Sequence, residues 1–280
     1  MKPRTSPREG MGGAGEISPT SLLAARYDRE AAAYTELWAP ILRKAAARLV
    51  DELRGGHVAR VLDVGAGVGS LWPDLRAAFP AAFVVGVDRS PGMIGLAPAE
   101  LPRAVMDARH LALRSGSVDR VILAFVLFHL ERPLSGLREA RRVLRTGGRV
   151  GTVTWAATLE SKATRIWIEC LDHYGAAAPD PATETRHEEV DTPEKMMKLL
   201  DEAGFVSTRS WAETLRTHID ADHLIRLRTS MGSCKPRFDS LDTRAQADCV
   251  AVARHRLKKL APEDFMAQGE IIHALGCVGS

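Results

Sequence analysis

The residues best suited to chemistry lie in a glycine-rich turn near the end of the first quarter of the chain. The turn, Gly65-Ala66-Gly67-Val68-Gly69, follows a short β-branched run at 61–64, and Asp63 lies two positions before its first glycine. Glycines permit positive φ and let a ligand approach the backbone closely. Amide groups where such a turn opens a helix can bind a carboxylate. The sequence therefore predicts a ligand site beginning at Gly65.

Two later acids each end a predicted strand and extend this site. Asp88 follows the apolar run 83–87, and its carboxylate can accept hydrogen bonds from both hydroxyls of a ribose. The alternative is that Asp88 caps the next helix, since Ser90 follows closely. Asp107 ends a third predicted strand, where it would accept from an adenine amino group or lie in a surface turn. The two acids favour a nucleoside ligand.

The spacing of the glycines separates two classes of nucleotide-binding protein. A dinucleotide fingerprint reads GxGxxG, but Ser70 occupies its last position and Gly69 comes one residue early. A nicotinamide-dependent oxidoreductase nevertheless remains an alternative, because both classes share a strand, a glycine turn, a helix and a later acid.

Alternating strands and helices must position these residues. Strands are predicted at 61–64, 83–87, 103–106, 118–125 and 149–155. Helices are predicted at 35–53, 71–78, from 91, and at 133–144. This alternation predicts an α/β fold, a Rossmann-like doubly wound sheet of mostly parallel strands. Ligands in such sheets bind beyond the C-terminal ends of the strands, where the glycines and acids lie.

The rest of the chain completes one domain. A sixth strand is predicted at 205–213, and the run 270–278 predicts a seventh strand, inserted antiparallel at the edge of the sheet. Residues 1–20 are rich in Gly, Pro, Ser and Thr and predict a flexible N-terminal tail. The domain then covers 21–280, with insertions at 156–190 and 215–262.

Composition and charge exclude several classes of function. The 38 basic and 35 acidic residues are interspersed and leave a formal charge of +3, which argues against a nucleic-acid partner. The four cysteines form no CxxC pair, so neither a metal site nor a disulfide framework is predicted. The longest apolar run, at 121–130, is about half of a membrane span. We expect a cytoplasmic protein with no membrane insertion; the sequence leaves its oligomeric state open.

Four segments in order resemble the class I methyltransferases that depend on S-adenosylmethionine (SAM). They are LDVGAGVG at 62–69, VGVDRSPGM at 85–93, VDRV at 118–121 leading to FHL at 128–130, and EARRVLRTGGR at 139–149. The resemblance is to the ubiquinone-biosynthesis-like branch, which acts on small molecules. It implies a class I methyltransferase domain, SAM as methyl donor and S-adenosylhomocysteine as product.

The resemblance also implies which residues contact the cofactor. They are Tyr27, Tyr34, Asp63, Gly65, Ala66, Gly67, Gly69, Asp88, Arg89, Met93, Asp107, Ala108 and Phe125. The glycine turn would approach the methionine part of SAM, Asp88 the ribose, and Asp107 with Ala108 the adenine. Asp63 would organise the turn, and Met93 would pack on the adenine or belong to the core.

His129, after the fourth strand, is the candidate catalytic base, although the alternative is a structural hydrogen bond. A base is optional, because the sulfonium of SAM is already an activated donor and orientation of the acceptor supplies much of the rate. The insertions 156–190 and 215–262 are expected to cover a small-molecule acceptor, with Trp155, Trp167 and Tyr174 as candidates to line its pocket. The acceptor and the methylated atom stay open, as does a non-catalytic SAM-binding or interaction role.

Overall fold

The computed structural model describes residues 19–179 and 187–279. The tail predicted at 1–20 therefore lies outside the described residues, apart from its last two positions, which begin a helix. Residues 180–186 of the predicted insertion 156–190 also lie outside them.

One seven-stranded sheet organises the described chain. Its strands are β1 (Arg60–Val64), β2 (Phe83–Asp88), β3 (Arg103–Val105), β4 (Val118–Ala124), β5 (Leu144–Trp155), β6 (Val206–His218) and β7 (Met266–Cys277). They lie in the order β3-β2-β1-β4-β5-β7-β6. Strands β1 to β5 pair in parallel, whereas β7 is antiparallel to both of its neighbours. The predicted fold, a Rossmann-like sheet with an antiparallel last strand, is confirmed.

The position predicted for the last strand was wrong in one respect. Strand β7 lies between β5 and β6, so the edge strand is β6. The physical reason is burial: residues 271–276 of β7 are buried on both faces, while most side chains of β6 are exposed or half-buried. An interior strand of a covered sheet needs apolar residues on both faces. Strand β6 is also longer than the predicted 205–213.

Helices cover both faces of the sheet. They are α1 (Pro19–Ala33), α2 (Ala39–Glu52), α3 (Trp72–Ala78), α4 (Pro91–Gly95), α5 (Pro133–Val143), α6 (Lys162–His173), α7 (Pro193–Glu202), α8 (Ala221–Ser230), α9 (Cys234–Asp239) and α10 (Thr243–Leu257). Several begin at a side chain that accepts from a backbone N–H of the first turn, as Thr192, Asp220 and Asp242 do. None of the helices in the described residues is long and apolar enough to cross a membrane.

The helix predicted at 35–53 is interrupted near its start. A π-helical turn, Tyr34–Trp38, joins α1 to α2, and the N–H of Ala39 donates to the carbonyl of Tyr34. Pro40 explains the break, because it has no N–H and its ring clashes with the carbonyl four residues earlier. The wide turn changes the direction of the residues before α2, and such turns are frequent at functional sites.

The two predicted insertions belong to the packed domain. The first contains α6, whose Trp167 is fully buried and joins the main core cluster. The second begins inside β6 and contains α8 to α10; Cys249 and Leu257 of α10 join the same cluster. Both segments therefore share a core with the sheet.

Candidate active site

A pocket of about 900 Å³, including space open to solvent, lies at the C-terminal ends of β1 to β5. The predicted site residues that line it are Tyr27, Tyr34, Gly65, Gly67, Asp88, Arg89, Met93, Asp107, Ala108, Phe125 and His129. The structure thus brings together residues that are about 100 positions apart in sequence.

The glycine turn forms the floor of the pocket. Gly65 and Gly67 have φ of 70° and 53°, and the N–H groups of Gly65 and Ala66 donate to the carbonyl of Val87 at 2.7 and 3.0 Å. A Cβ at Gly65 would lie 2.3 Å from Val126 Cγ2, so no side chain fits there. The turn is therefore fixed to β2, and its glycines leave the pocket open.

Gly69, the third glycine of the turn, does not line the pocket. A Cβ at this position would lie 3.0 to 3.1 Å from Pro98, Ala97 and Leu101. The structure therefore gives Gly69 a packing role, between the turn and the segment after α4. Its contact with the cofactor stays a prediction.

Asp88 connects the turn to α4. Its Oδ2 accepts from the N–H of Gly67 at 2.8 Å and its Oδ1 from the N–H of Ser90 at 2.8 Å. The cap of α4 is Ser90, whose Oγ accepts from Met93 N at 3.0 Å, so Asp88 is not the capping residue. Burial raises the pKa of Asp88. The carboxylate lines the pocket and retains lone pairs for a ligand.

Asp63 and Ala66 line an adjoining chamber of about 330 Å³ together with Tyr34, Arg43 and Phe125. The side chain of Asp63 is buried, with 3% of the residue exposed. Burial, and then the charge of Asp88, raise the pKa of Asp63 to about 7. A cation near Asp63 would stabilise its ionised form.

Asp107 faces the pocket but is paired with two arginines. Its two oxygens accept from Nε and Nη2 of Arg109 at 3.0 and 2.8 Å, and Arg89 Nη1 lies 3.5 Å away. Burial alone would raise the pKa of Asp107, but the bonds and charge of Arg109 hold it below its usual value. Asp107 is therefore an ionised side chain at the β3 end of the pocket.

Helix α1 covers the pocket. Tyr27 Oη lies 3.0 Å from Nε2 of His129, and Asp28 Oδ1 accepts from Gly92 N at 2.7 Å and from Ser90 Oγ at 2.5 Å. Met93 is buried, lines the pocket and packs in a small cluster beneath α1. Both predicted roles of Met93, core residue and pocket residue, are therefore compatible with its position.

The opposite end of the pocket is aromatic, and sequence reasoning missed part of it. Phe125 and the predicted Trp155 line it with Trp38 and Phe128, which were not predicted. The rings of Trp38 and Trp155 stack at 6.0 Å, and Phe125 lies 5.0 Å from Trp155. We call these four residues the aromatic wall. The signal for Trp38 was Pro40, which predicts a break in the helix and a changed direction for the residues before it.

The predicted acceptor-covering residues are distributed unevenly. His187, from the first insertion, stacks on Phe128 with ring centroids 4.3 Å apart. Trp167 packs against Phe238 in the core, and neither it nor Tyr174 is among the residues that line the pocket. In the described residues, none of the lining side chains comes from 215–262. There, α8 packs behind the wall against Leu37.

The residues present fit SAM. The two glycines that line the pocket leave its floor free of side chains, and a carboxylate suited to ribose hydroxyls lies beside them. Charged side chains of the pocket lie at the C-terminal ends of β2 and β3, and aromatic side chains lie at the C-terminal ends of β4 and β5. In the described residues, no group of three or more His, Cys, Asp or Glu is arranged to hold a metal ion.

Comparison with known proteins identifies the family. A family model described as a methyltransferase domain matches residues 62–151. An uncharacterised methyltransferase from Mycobacterium bovis is 30% identical over 195 residues, which cover 64% of this chain and 76% of that protein. A malonyl-[acyl-carrier protein] O-methyltransferase from Hahella chejuensis is 35% identical over 135 residues, 46% of this chain. The matched part of this chain spans about half, 48%, of the length of the Hahella chejuensis protein.

Solved structures share the fold. Phosphoethanolamine N-methyltransferase 2 from Haemonchus contortus, in complex with S-adenosylhomocysteine, aligns with a TM-score of 0.57 at 16% identity, covering 95% of this chain and 61% of that one. Fold and site together define an α/β enzyme with a nucleoside pocket at the carboxyl edge of its sheet. The chain belongs to the class I SAM-dependent methyltransferases. As a member of this family it is a SAM-dependent methyltransferase, with SAM as its cofactor.

Proposed function

We propose that the protein transfers the methyl group of SAM to a small-molecule acceptor bound against the aromatic wall. The observation that carries this proposal is the division of one pocket into two ends. Asp88, Asp107 and the glycine turn follow β1 to β3, while Phe125 and Trp155 follow β4 and β5. A donor with a polar nucleoside and an acceptor with an apolar body can therefore bind side by side.

In this proposal the chain's own residues hold and cover the donor. The backbone at Gly65 and Gly67 lies next to its methionine part, Asp88 accepts from its ribose, and Asp107 lies at its adenine. Helix α1, held by Asp28, excludes water from above. When bound, SAM supplies a methyl group on a positively charged sulfur, which an in-line nucleophile can displace.

His129 is the residue that we propose as the proton acceptor. Burial raises the pKa of Tyr27, so its phenol stays protonated at neutral pH. In the His129 tautomer that carries its proton on Nδ1, Nε2 has a lone pair and accepts from the Tyr27 hydroxyl. We propose that this tautomer is the active one, because a general base needs an unprotonated nitrogen facing the pocket.

Several finer predictions stay proposals. The branch similar to ubiquinone-biosynthesis enzymes, the cytoplasmic location and the lack of a nucleic-acid partner rest on the sequence alone. A malonyl-[acyl-carrier protein] methyltransferase acts on an acid, whereas the aromatic wall favours an acceptor with an apolar body. The nicotinamide-dependent oxidoreductase and the non-catalytic SAM-binding protein are outcomes of the experiments below.

Calorimetric titration of SAM, S-adenosylhomocysteine and NADH tests the donor site. We expect both SAM compounds to bind and NADH not to bind. In Asp88→Asn the loss of hydrogen bonds to a charge should weaken SAM binding by about 1.5 to 3 kcal/mol, which is tenfold or more. Asp51→Asn, an exposed acid on α2, is the control and should bind SAM normally. NADH binding without SAM binding would contradict the assignment, and binding with no transfer to any acceptor would indicate the non-catalytic role.

A further inference from the structure

Within the part of the chain that the structure describes, the acceptor end of the pocket carries no charged side chain. Among the described residues that line the pocket, the acids and the arginine are Asp88, Arg89 and Asp107, all after β2 and β3. The side chains after β4 and β5 are aromatic or aliphatic, apart from the imidazole of His129. Since β1 separates β2 from β4 in the sheet, the charged groups and the aromatic wall lie on opposite sides of the glycine turn.

Among the described residues, none at this end would give an ionic acceptor a counter-charge. An anion would have only the sulfonium of SAM as its partner, and a cation would have none. Burying an unpaired carboxylate or ammonium costs far more than burying a hydroxyl that finds one hydrogen bond. The acceptors in the names of the relatives, a malonyl group and phosphoethanolamine, are both ionic. The aromatic wall is therefore not built for the reacting groups of those substrates.

The shape of the wall favours a flat molecule. The rings of Trp38 and Trp155 are nearly parallel, with planes 25° apart, and Phe125 is tilted by 38° to Trp155. His187 lies over Phe128 with its plane 28° from that ring. Aromatic faces gain from an offset-stacked ring beyond the area that it buries. The four wall residues also line the pocket, and the ring surface that they leave there can stack a planar acceptor better than a puckered aliphatic ring of equal size.

The polar groups at this end match one hydroxyl. Tyr27 Oη and His129 Nε2 are 3.0 Å apart and both residues line the pocket. An acceptor hydroxyl can donate to Nε2 in place of Tyr27, or donate to Tyr27 Oη while Tyr27 donates to His129. In the first arrangement its proton moves directly to Nε2 of His129. In the second its proton moves to Tyr27 Oη while the Tyr27 proton moves to Nε2, so His129 gains one proton in both.

We propose that the acceptor is an uncharged planar hydroxyl compound, a phenol or an enol, stacked on the aromatic wall with its hydroxyl on the Tyr27–His129 pair. This inference rests on the proposed function. In the reaction, the O–H proton moves to His129, an oxygen lone pair forms the O–CH₃ bond, and the carbon–sulfur bond breaks. The electron pair of that bond stays on sulfur, which becomes the neutral thioether of S-adenosylhomocysteine.

Binding of chosen probes to the protein saturated with S-adenosylhomocysteine tests the proposal without knowledge of the natural acceptor. The probes are 2-naphthol, its carboxylate analogue 2-naphthoate, and decahydro-2-naphthol, which has the same size but is not planar. Tryptophan fluorescence quenching and calorimetry report their affinities. We expect 2-naphthol to bind at least tenfold more tightly than either of the other two.

Variants separate the wall from the rest of the protein. Trp38→Leu should weaken 2-naphthol binding at least fivefold while leaving the affinity for S-adenosylhomocysteine within twofold, and Trp155→Leu should do the same if it folds. Trp72→Leu, on α3 and outside the lining residues, is the control. Tyr27→Phe should reduce the preference for 2-naphthol over naphthalene.

Each outcome decides a different proposal. Failure to bind S-adenosylhomocysteine would contradict the proposed function itself. Normal binding of S-adenosylhomocysteine with tighter binding of 2-naphthoate, equal binding of decahydro-2-naphthol, or no binding of any probe would overturn the planar uncharged acceptor alone.

Discussion

Asp63 is a buried carboxylic acid whose pKa is strongly raised by its surroundings. It is buried beside the glycine turn, and its pKa of about 7 lies well above the value of about 3.9 for an aspartate in an unfolded chain. At a pH between these two pKa values, Asp63 is therefore protonated in the folded protein and ionised in the unfolded chain. The stabilisation from that proton is fully present below pH 4 and is lost as the pH rises towards 7.

We predict that Asp63→Asn removes part of the pH dependence of stability. Between pH 5 and pH 7 the free energy of unfolding of the wild type should fall, relative to Asp63→Asn, by on the order of 2 kcal/mol. Urea unfolding of the ligand-free protein at several pH values measures the difference. Asp51→Asn, at an exposed ion pair, is the control. Equal slopes for the wild type and Asp63→Asn would contradict the raised pKa.

Some residues of the site could be predicted from the sequence, and others could not. Gly65, Gly67 and Asp88 were predictable because a turn with positive φ and a ribose-binding acid need particular residue types at particular spacing. Phe125 was expected at the site, but its conformation was not predictable: φ is 58°, unusual for a bulky residue. It is held there by its N–H bond to Val153 O at 2.8 Å and by contact with Trp155. Such tertiary restraint leaves no local signal.

At the scale of elements, the parallel half of the sheet was the predictable part. Strands β1, β2 and β4 are short, mostly apolar runs, and parallel strands joined through a helix are connected with right-handed crossovers. The position of β7 was not predictable in the same way, because its partners β5 and β6 are joined to it by long segments. The burial of both faces of β7 identifies it as an interior strand only once the structure is known. In the sequence, a short apolar run does not show which strands lie beside it.

The contact between α1 and α4 can be tested with two glycines of the same short helix. A Cβ at Gly92 would lie 2.9 Å from the Cα of Asp28, whereas a Cβ at Gly95 would meet no atom within 4 Å. We predict that Gly92→Ala displaces α1, speeds amide hydrogen exchange in residues 22–33 and weakens SAM binding at least fivefold.

Gly95→Ala is the matched control for this prediction. Both substitutions gain the same intrinsic helix propensity, on the order of 1 kcal/mol, so their difference isolates the contact with α1. Hydrogen exchange measured by mass spectrometry gives the comparison directly. If the two variants exchange equally in residues 22–33, Gly92 is not needed for the packing of α1.

At the scale of the whole molecule, the cofactor and the acceptor ends follow from strand order. A doubly wound sheet brings the ends of five strands to one edge, and the chain places acids and glycines on three of them and aromatic residues on the other two. This arrangement could be predicted in part from the sequence, since the acids, the glycines and the aromatic residues each follow a predicted strand. The position of Trp38 in the pocket could not be predicted, because it depends on the π-helical turn before α2.

The described residues should also unfold as one unit. The main core cluster includes Leu49 of α2, Val121 of β4, Trp167 of α6 and Cys249 of α10, so neither insertion has a separate core. We predict a single thermal transition by calorimetry. Because S-adenosylhomocysteine binds only the folded state, a hundredfold excess over its Kd should add about 2.7 kcal/mol and raise the whole transition by several degrees. NADH at the same concentration should leave it unchanged. Two transitions, or a shift confined to part of the heat absorption, would show that 156–190 or 215–262 unfolds independently of the SAM-binding sheet.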